Sequence, residues 1–244
     1  MSVSPAEAPP AERDLIERDI RTACEWMASS PWGQYLTAVE TKAVLFAHEM
    51  AAKPSTSLEI GCDGGRWSRF IANLGWSPTC VDIDPETLAV CQGRLPQACC
   101  VLTSRQARRL PADDNSTDLL LIMQVPSVIE SDWFPSEANR VLRNNGLLVG
   151  VGWNRASLRG VVSRLLGRQE SKAEECYIHT YNAIKRRIED SGFSFLFERG
   201  YCWVPFSRDT VSPLVPPCVT LERILMLRYL VRWSPWVVFV ARKA

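Results

Sequence analysis

Apolar residues recur along this chain at two spacings, and the switch from one to the other sets out its elements. Leu15, Ile16, Ile20, Ala23 and Met27 fall at three- and four-residue steps, the stripe of an amphipathic helix. A break at Pro31-Trp32-Gly33 separates it from a second helical stretch, "YLTAVETKAVLFAHEMAA", which Lys53-Pro54-Ser55 ends. Short apolar runs then alternate with helical segments. "SLEI" precedes "RWSRFIANLG", and "TCVDI" precedes "PETLAVCQGRL", a helix opened by Pro85 at a first-turn position. "CCVLT" and "DLLLIMQV" are a third and a fourth strand; "DWFPSEANRVLRNNG" reads as a helix closed by Asn144-Asn145-Gly146, and "LLVGVGW" is a fifth strand. "SLRGVVSRLLG" and "YNAIKRRIEDSG" are predicted helices, and "FSFLFERGYCWV" and "WVVFVARK" the last two strands. Leu119-Leu120-Leu121-Ile122-Met123 is apolar without alternation, as a strand covered on both faces requires. The rhythm predicts an α/β fold: a mostly parallel sheet with helices on both faces.

The last two strands are separated by a segment, 205–235, too long for a hairpin turn. Its helix, expected at 218–233, is apolar nearly all round, with Arg223, Arg228 and Arg232 interspersed. Such a helix is buried against the sheet, pairs with another subunit, or covers something greasy, as a lid over an apolar substrate or a peripheral membrane face. The expected organisation is a disordered leader at 1–12 and one domain over 13–244, with N-terminal helices at 13–53 and the insertion at 205–235.

Composition narrows the function less than it narrows the setting. With 46% hydrophobic residues, 23% charged and a net charge of +1, the whole chain has no field to attract nucleic acid. No apolar run approaches the roughly 18–20 residues that span a bilayer, and the N-terminus lacks the basic and apolar regions of a secretory signal, so a cytoplasmic location is expected. The nine cysteines are scattered, without a C-x-x-C pair, and there are only two histidines. That argues against a zinc site or a disulfide framework, and for thiols packed as small hydrophobes; no metal is expected.

Chemistry concentrates in "SLEIGCDGGRWSRFI", a glycine-rich turn between a strand and a helix, where a ligand can approach the backbone closely. The dinucleotide fingerprint G-x-G-x-x-G matches poorly, because Asp63 stands at its second glycine and the last is missing; this disfavours an NAD-dependent oxidoreductase. The turn instead resembles the first motif of the class I S-adenosylmethionine (SAM)-dependent methyltransferases, as Glu59-x-Gly61-x-Asp63-x-Gly65. "RQARRLPADDNSTDLLLIMQV" is similar to that family's G-D-A-x-x-L-P-F-x-D-x-S-F-D segment, through Ala107, Leu110, Pro111, Asp114, Ser116 and Asp118. "EANRVLRNNG" resembles its E-x-x-R-V-L-K-P-G-G, and "EDSGF" its entry to the sixth strand. The likeness covers about 55–204 and the last strand, and its small-molecule branch, of the ubiquinone- and menaquinone-biosynthesis kind, is the most similar.

The resemblance implies a Rossmann-like, seven-stranded sheet with an antiparallel last strand, SAM as cofactor, and methyl transfer to the oxygen or carbon of a small, partly apolar acceptor. It implies that Glu59, Gly61, Cys62, Asp63 and Gly65 form the turn facing the methionine end of SAM. Asp82, with Ile83 beside it, takes the ribose hydroxyls, while Gln106 and Ala107 meet the adenine. Gln124 stands just past the fourth strand, at the edge of the sheet where ligands bind. His179, in "CYIHTY", is the general-base candidate, whereas His48, between Phe46 and Met50 on a helix, reads as a packed or surface histidine. Asp84, directly before Pro85, is the better helix cap and Asp82 the better ribose ligand. Asp63, Gln106 and Asn144-Asn145 depart from the family's pattern and keep a non-catalytic scaffold as the alternative.

Overall fold

The computed structural model describes residues 22–165, 176–207 and 210–244. The leader expected at 1–12, the start of the first helix and the end of "SLRGVVSRLLG" lie outside the described residues. Seven strands form one sheet in the order β3-β2-β1-β4-β5-β7-β6. β1 (Thr56–Ile60), β2 (Ser77–Asp82), β3 (Cys99–Leu102), β4 (Thr117–Ile122) and β5 (Leu142–Trp153) run parallel, with Leu58 opposite Thr79 on one side and Leu120 on the other. β7 (Trp236–Lys243) inserts antiparallel between β5 and β6 (Phe193–Tyr201), as Val149 opposite Val240 shows. The α/β class, the seven strands and the single antiparallel last strand agree with the sequence reading. Leu119 to Ile122 are fully buried, as a central strand under two helical layers demands.

Two helices precede the sheet. Ser30 closes α1 (Ala23–Ser29), and its hydroxyl accepts from the Gly33 N–H at 2.9 Å to open α2 (Pro31–Met50). Pro31, placed in a break by its residue type, is therefore the first residue of α2, where a missing N–H costs nothing. α3 (Arg66–Ala72) follows β1, α4 (Pro85–Arg94) follows β2, and Asp84 caps α4 through the Glu86 N–H at 2.9 Å. A short helix, α5 (Pro126–Ile129), follows β4 without having been expected, and α6 (Phe134–Val141) leads directly into β5. The helix predicted to close at Asn144-Asn145-Gly146 thus ends earlier. Thr117 pairs with Leu142 and Leu119 with Leu147, and the intervening residues form an irregularity with Asn145 left-handed at φ 65°.

α7 (Leu158–Leu165) and α8 (Tyr181–Asp190) complete the layers, and β6 ends at Tyr201, three residues short of the expected Val204, where Cys202 turns left-handed. The insertion also departs from expectation. Its helix, α9, spans Val215–Ile224; Met226 at φ 52° interrupts it, and one 3-10 turn, Leu227–Tyr229, follows. His48 is packed: its Nδ1 accepts from the Trp76 indole at 3.2 Å.

Candidate functional site

The site forms at the carboxyl ends of β1, β2 and β4, where a parallel sheet opens a crevice. Gly61 turns the chain left-handed (φ 72°) as it leaves β1, and a Cβ there would lie 2.5 Å from Cγ2 of Val125 on the neighbouring strand end. Gly65, also left-handed (φ 77°), starts α3, and a Cβ there would lie 2.6 Å from the Cys91 sulfur. Between them Asp63 takes φ 49°, in a position where an aspartate is tolerated better than most side chains. The replaced glycine of the motif therefore keeps the motif's backbone.

Gly61 and Val125 are shared by two hollows that meet at this turn. One is walled by Val81, Asp82, Ile83, Thr103, Ala107 and Leu110. Asp82 holds its carboxylate at the tip of β2 by accepting from the N–H groups of Asp63 (2.8 Å), Ile83 (2.7 Å) and Asp84 (3.1 Å). The loop opposite is clamped by Arg140. Its guanidinium donates to both carboxylate oxygens of Glu137 (2.8 and 2.7 Å), to Asp114 (2.7 Å) and to the carbonyls of Leu110 and Ala112, while Glu137 accepts from the Leu110 N–H. That pairing holds the Glu137 carboxyl below its usual range and explains what the E-x-x-R residues do here: they fasten the wall of the hollow.

The second hollow is walled by Cys24, Met27 and Ala28 of α1, Gly33, Leu36 and Thr37 of α2, Glu59, Gly61, Cys62, Asp63, Arg66 and Trp67, and Met123 and Gln124. Glu59 is buried and accepts from the Ser68 hydroxyl; burial pushes its carboxyl up to about 8, with the Ser68 hydrogen bond opposing. Gln124, left-handed at φ 62°, donates its amide to Glu40, which also accepts from the Tyr201 hydroxyl at 2.8 Å. Arg66 bonds Thr37 at 2.9 Å and approaches Glu40 at 4.0 Å.

Of the residues picked out in sequence, Glu59, Gly61, Cys62, Asp63, Asp82, Ile83, Ala107 and Gln124 line this double crevice, and Gly65 stands behind it. Two do not line it. Gln106 is exposed and its carbonyl accepts from the Ser104 hydroxyl at 2.6 Å, leaving Ser104 and Ala107 on the wall. His179 lies outside both hollows, with Nδ1 2.9 Å and its backbone N–H 3.0 Å from Oε2 of Glu130.

Sequence reasoning missed the N-terminal clamp and Glu40. The Thr22 hydroxyl donates to Asp63, and Thr22-x-x-Glu25 forms a capping box, a pattern visible in the sequence. Glu40 shares the apolar stripe of α2 with Leu36, Ala43, Val44 and Ala47, and a carboxylate on such a stripe was the available signal. The scattered cysteines also converge. The sulfurs of Cys80, Cys91 and Cys100, from β2, α4 and β3, all lie within 4.8 Å of one another, with Cys62 packed in the same cluster. None of the nine cysteines is in a disulfide.

A carboxylate at the tip of β2 and a glycine turn at the tip of β1, on an open sheet of this order, are the arrangement in which α/β folds bind nucleosides. Residues 58–150 match a family model described as a methyltransferase domain. The chain is 30% identical over 175 residues to an uncharacterised methyltransferase-like protein of Schizosaccharomyces pombe, covering 70% of this chain and 61% of that one. It is 34% identical over 97 residues to an uncharacterised methyltransferase of Mycobacterium tuberculosis, covering 40% and 39%. The chain thus spans less than two thirds of the length of either relative. Its fold is that of geranyl diphosphate C-methyltransferase from Streptomyces coelicolor (TM-score 0.59, 17% identity, 86% of this chain and 81% of that one). A SAM-dependent methyltransferase from Methanosarcina mazei shares it too (TM-score 0.56, 18% identity, 81% and 96%). The chain is thus similar to the class I SAM-dependent methyltransferases, in fold and over residues 58–150, and the cofactor of those enzymes is SAM. The crevice fits that cofactor: glycine at 61, where a Cβ would strike Val125, lets the turn lie close to the end of β4 between the two hollows, and an anchored carboxylate faces the hollow where a ribose would lie.

Proposed function

We propose that this protein transfers a methyl group from SAM to an oxygen or carbon of a small, partly apolar acceptor. The observation that carries the reading is the double crevice around Gly61, with a fixed carboxylate in one half and mixed apolar and charged walls in the other. Asp82 accepts the ribose hydroxyls, a charge-assisted pairing stronger than a neutral one. Ala107 and Leu110 press against the adenine, and the turn from Gly61 to Asp63 meets the methionine end. Bound SAM would supply an electrophilic methyl, its carbon–sulfur bond breaking as the new bond forms, with the electron pair left on sulfur and the acceptor's proton lost to solvent. The chain's task is orientation and exclusion of water. Met27, Ala28, Leu36 and Met123 form the apolar wall against which the acceptor lies, and α1 closes over it. The Glu130–His179 pair is assigned a structural role, joining α8's approach to α5, rather than proton removal. Nine cysteines outside any disulfide suit a reducing, cytoplasmic setting.

Isothermal titration of the full chain with SAM and with S-adenosylhomocysteine tests this. Binding is expected, weakened by Asp82→Ala roughly ten- to a hundredfold, the loss of charged hydrogen bonds. Undiminished binding by a folded Asp82→Ala protein would remove the assignment.

A further inference from the structure

Among the described residues, no helix is long and apolar enough to cross a membrane. Yet nine of the sixteen large apolar side chains that the described residues expose lie between 211 and 233. Ile224, Leu225, Met226, Tyr229 and Trp233 are 52–71% exposed, which no packing against the sheet can account for. A contiguous apolar surface of this kind marks an interaction site.

The segment is firmly held with its apolar side outward. Glu222, the one carboxylate among the described residues from 210 to 235, points inward. It accepts from the Tyr35 hydroxyl and from the backbone N–H groups of Trp203 (3.0 Å) and Val204 (3.3 Å). At the other end the Asn154 amide donates to the carbonyls of Arg232 (2.9 Å) and Ser234 (3.0 Å). The ordinary amphipathic arrangement is inverted: the acid is buried and the leucines face water.

The charge left outside is all of one sign. Arg223 and Arg232 are exposed and Arg228 is half-buried, and no carboxylate of this segment answers them. Arg228 lies over the Tyr229 ring at 4.8 Å and Arg232 over the Trp233 ring at 5.9 Å. Amphipathic aromatics beside arginines suit the headgroup layer of a bilayer, with rings at the acyl boundary and guanidinium groups on phosphates. A second copy of this chain suits it less, because a two-fold contact would set these arginines against their own equivalents.

We infer that the face built by residues 214–233 docks on a bilayer surface rich in anionic phospholipid. The net charge of +1 conceals this local concentration. The same turns of α2 serve both surfaces: Tyr35 holds Glu222, while Gly33, Leu36 and Thr37 wall the crevice. Docking therefore sets the crevice beside the lipid, and insofar as the methyltransferase reading holds, its acceptor is an amphiphile drawn from that surface.

The test is co-sedimentation of the full chain with phosphatidylcholine vesicles, with and without phosphatidylglycerol, at low and high salt. Binding to the anionic vesicles is expected, weakened by salt. Replacing Arg223, Arg228 and Arg232 together with Gln should weaken it roughly a hundredfold, and Ile224→Glu with Leu225→Glu should abolish it, with the melting temperature of both variants retained. Lack of binding to anionic vesicles would overturn the inference. So would a dimer in sedimentation velocity that Ile224→Glu with Leu225→Glu dissolves, because the face would then belong to a second copy. SAM titration in vesicle-free solution judges the methyltransferase reading separately.

Discussion

Arg94 and Glu25, 69 residues apart in the chain, meet as a two-pronged pair at 2.6 and 2.9 Å, and the same guanidinium donates to the Gly64 carbonyl at 2.8 Å. One side chain thereby ties α1 to α4 and to the middle of the glycine turn. With Thr22 on Asp63, it makes α1 part of the crevice rather than an appendage to it.

Arg94→Ala is therefore expected to act on ligand binding as well as on folding. The pair is largely buried, with side-chain exposures of 18% and 15%, so its loss should cost about 1–3 kcal/mol of stability. Loosening α1 should also raise the dissociation constant for S-adenosylhomocysteine about tenfold, about 1.4 kcal/mol. Calorimetric titration and urea denaturation of the same variant separate the two effects. A stability loss with unchanged affinity would show that α1 is not needed to hold the ligand.

Gly61→Ala faces two obstacles at once. Its left-handed backbone disfavours a side chain by about 1–2 kcal/mol, and the new methyl would press on Val125. The combined variant Gly61→Ala with Val125→Ala should recover the steric share alone. A double-mutant cycle read by denaturation would show that recovery as a coupling of about 1 kcal/mol. Strict additivity would mean that the close approach carries no energy.

The strand-and-helix alternation, the glycine turn, the place of Asp82 and the cap at Asp84 were legible because each depends on local spacing: strand periods, a turn between strand and helix, a residue before proline. The Arg94–Glu25 tie and the Gln124–Glu40–Tyr201 cluster were not, since they join segments that only the folded chain brings together. Gln106 stands off the wall for a related reason. A motif match fixes where a residue stands, but Ser104, two positions away, takes its carbonyl. In the insertion, apolar content was visible, whereas its outward aim depends on the inward anchoring of Glu222 by Tyr35, 187 residues away.

Glu59 gives the fold a pH dependence of definite sign. Its carboxyl is raised from the usual 4.5 to about 8 by burial, so the folded state keeps a proton that the unfolded state has lost. That contribution to stability is complete below about 4.5 and falls as pH rises toward about 8, by at most about 1.4 kcal/mol per pH unit. Burial also raises Glu130 and Glu222, which act in the same direction. The difference between wild type and Glu59→Gln isolates the Glu59 share. Urea midpoints of the variant should decline less over that window, and parallel curves for the two proteins would show that Glu59 ionises as an ordinary surface carboxyl does.

Cys24 and Cys99 are both exposed, but only Cys24 lines the crevice, on the α1 side. Exposed thiols react as their thiolate fraction allows, whereas buried ones such as Cys62, Cys80 and Cys91 wait for the fold to open. Alkylation followed by peptide mass spectrometry should therefore label Cys24 and Cys99 first. Saturating S-adenosylhomocysteine should slow Cys24 severalfold, because ligand in the crevice holds α1 down and covers its thiol, and should leave Cys99 unchanged. Equal slowing of both would point to global stabilisation, and no slowing of either would place the ligand away from α1.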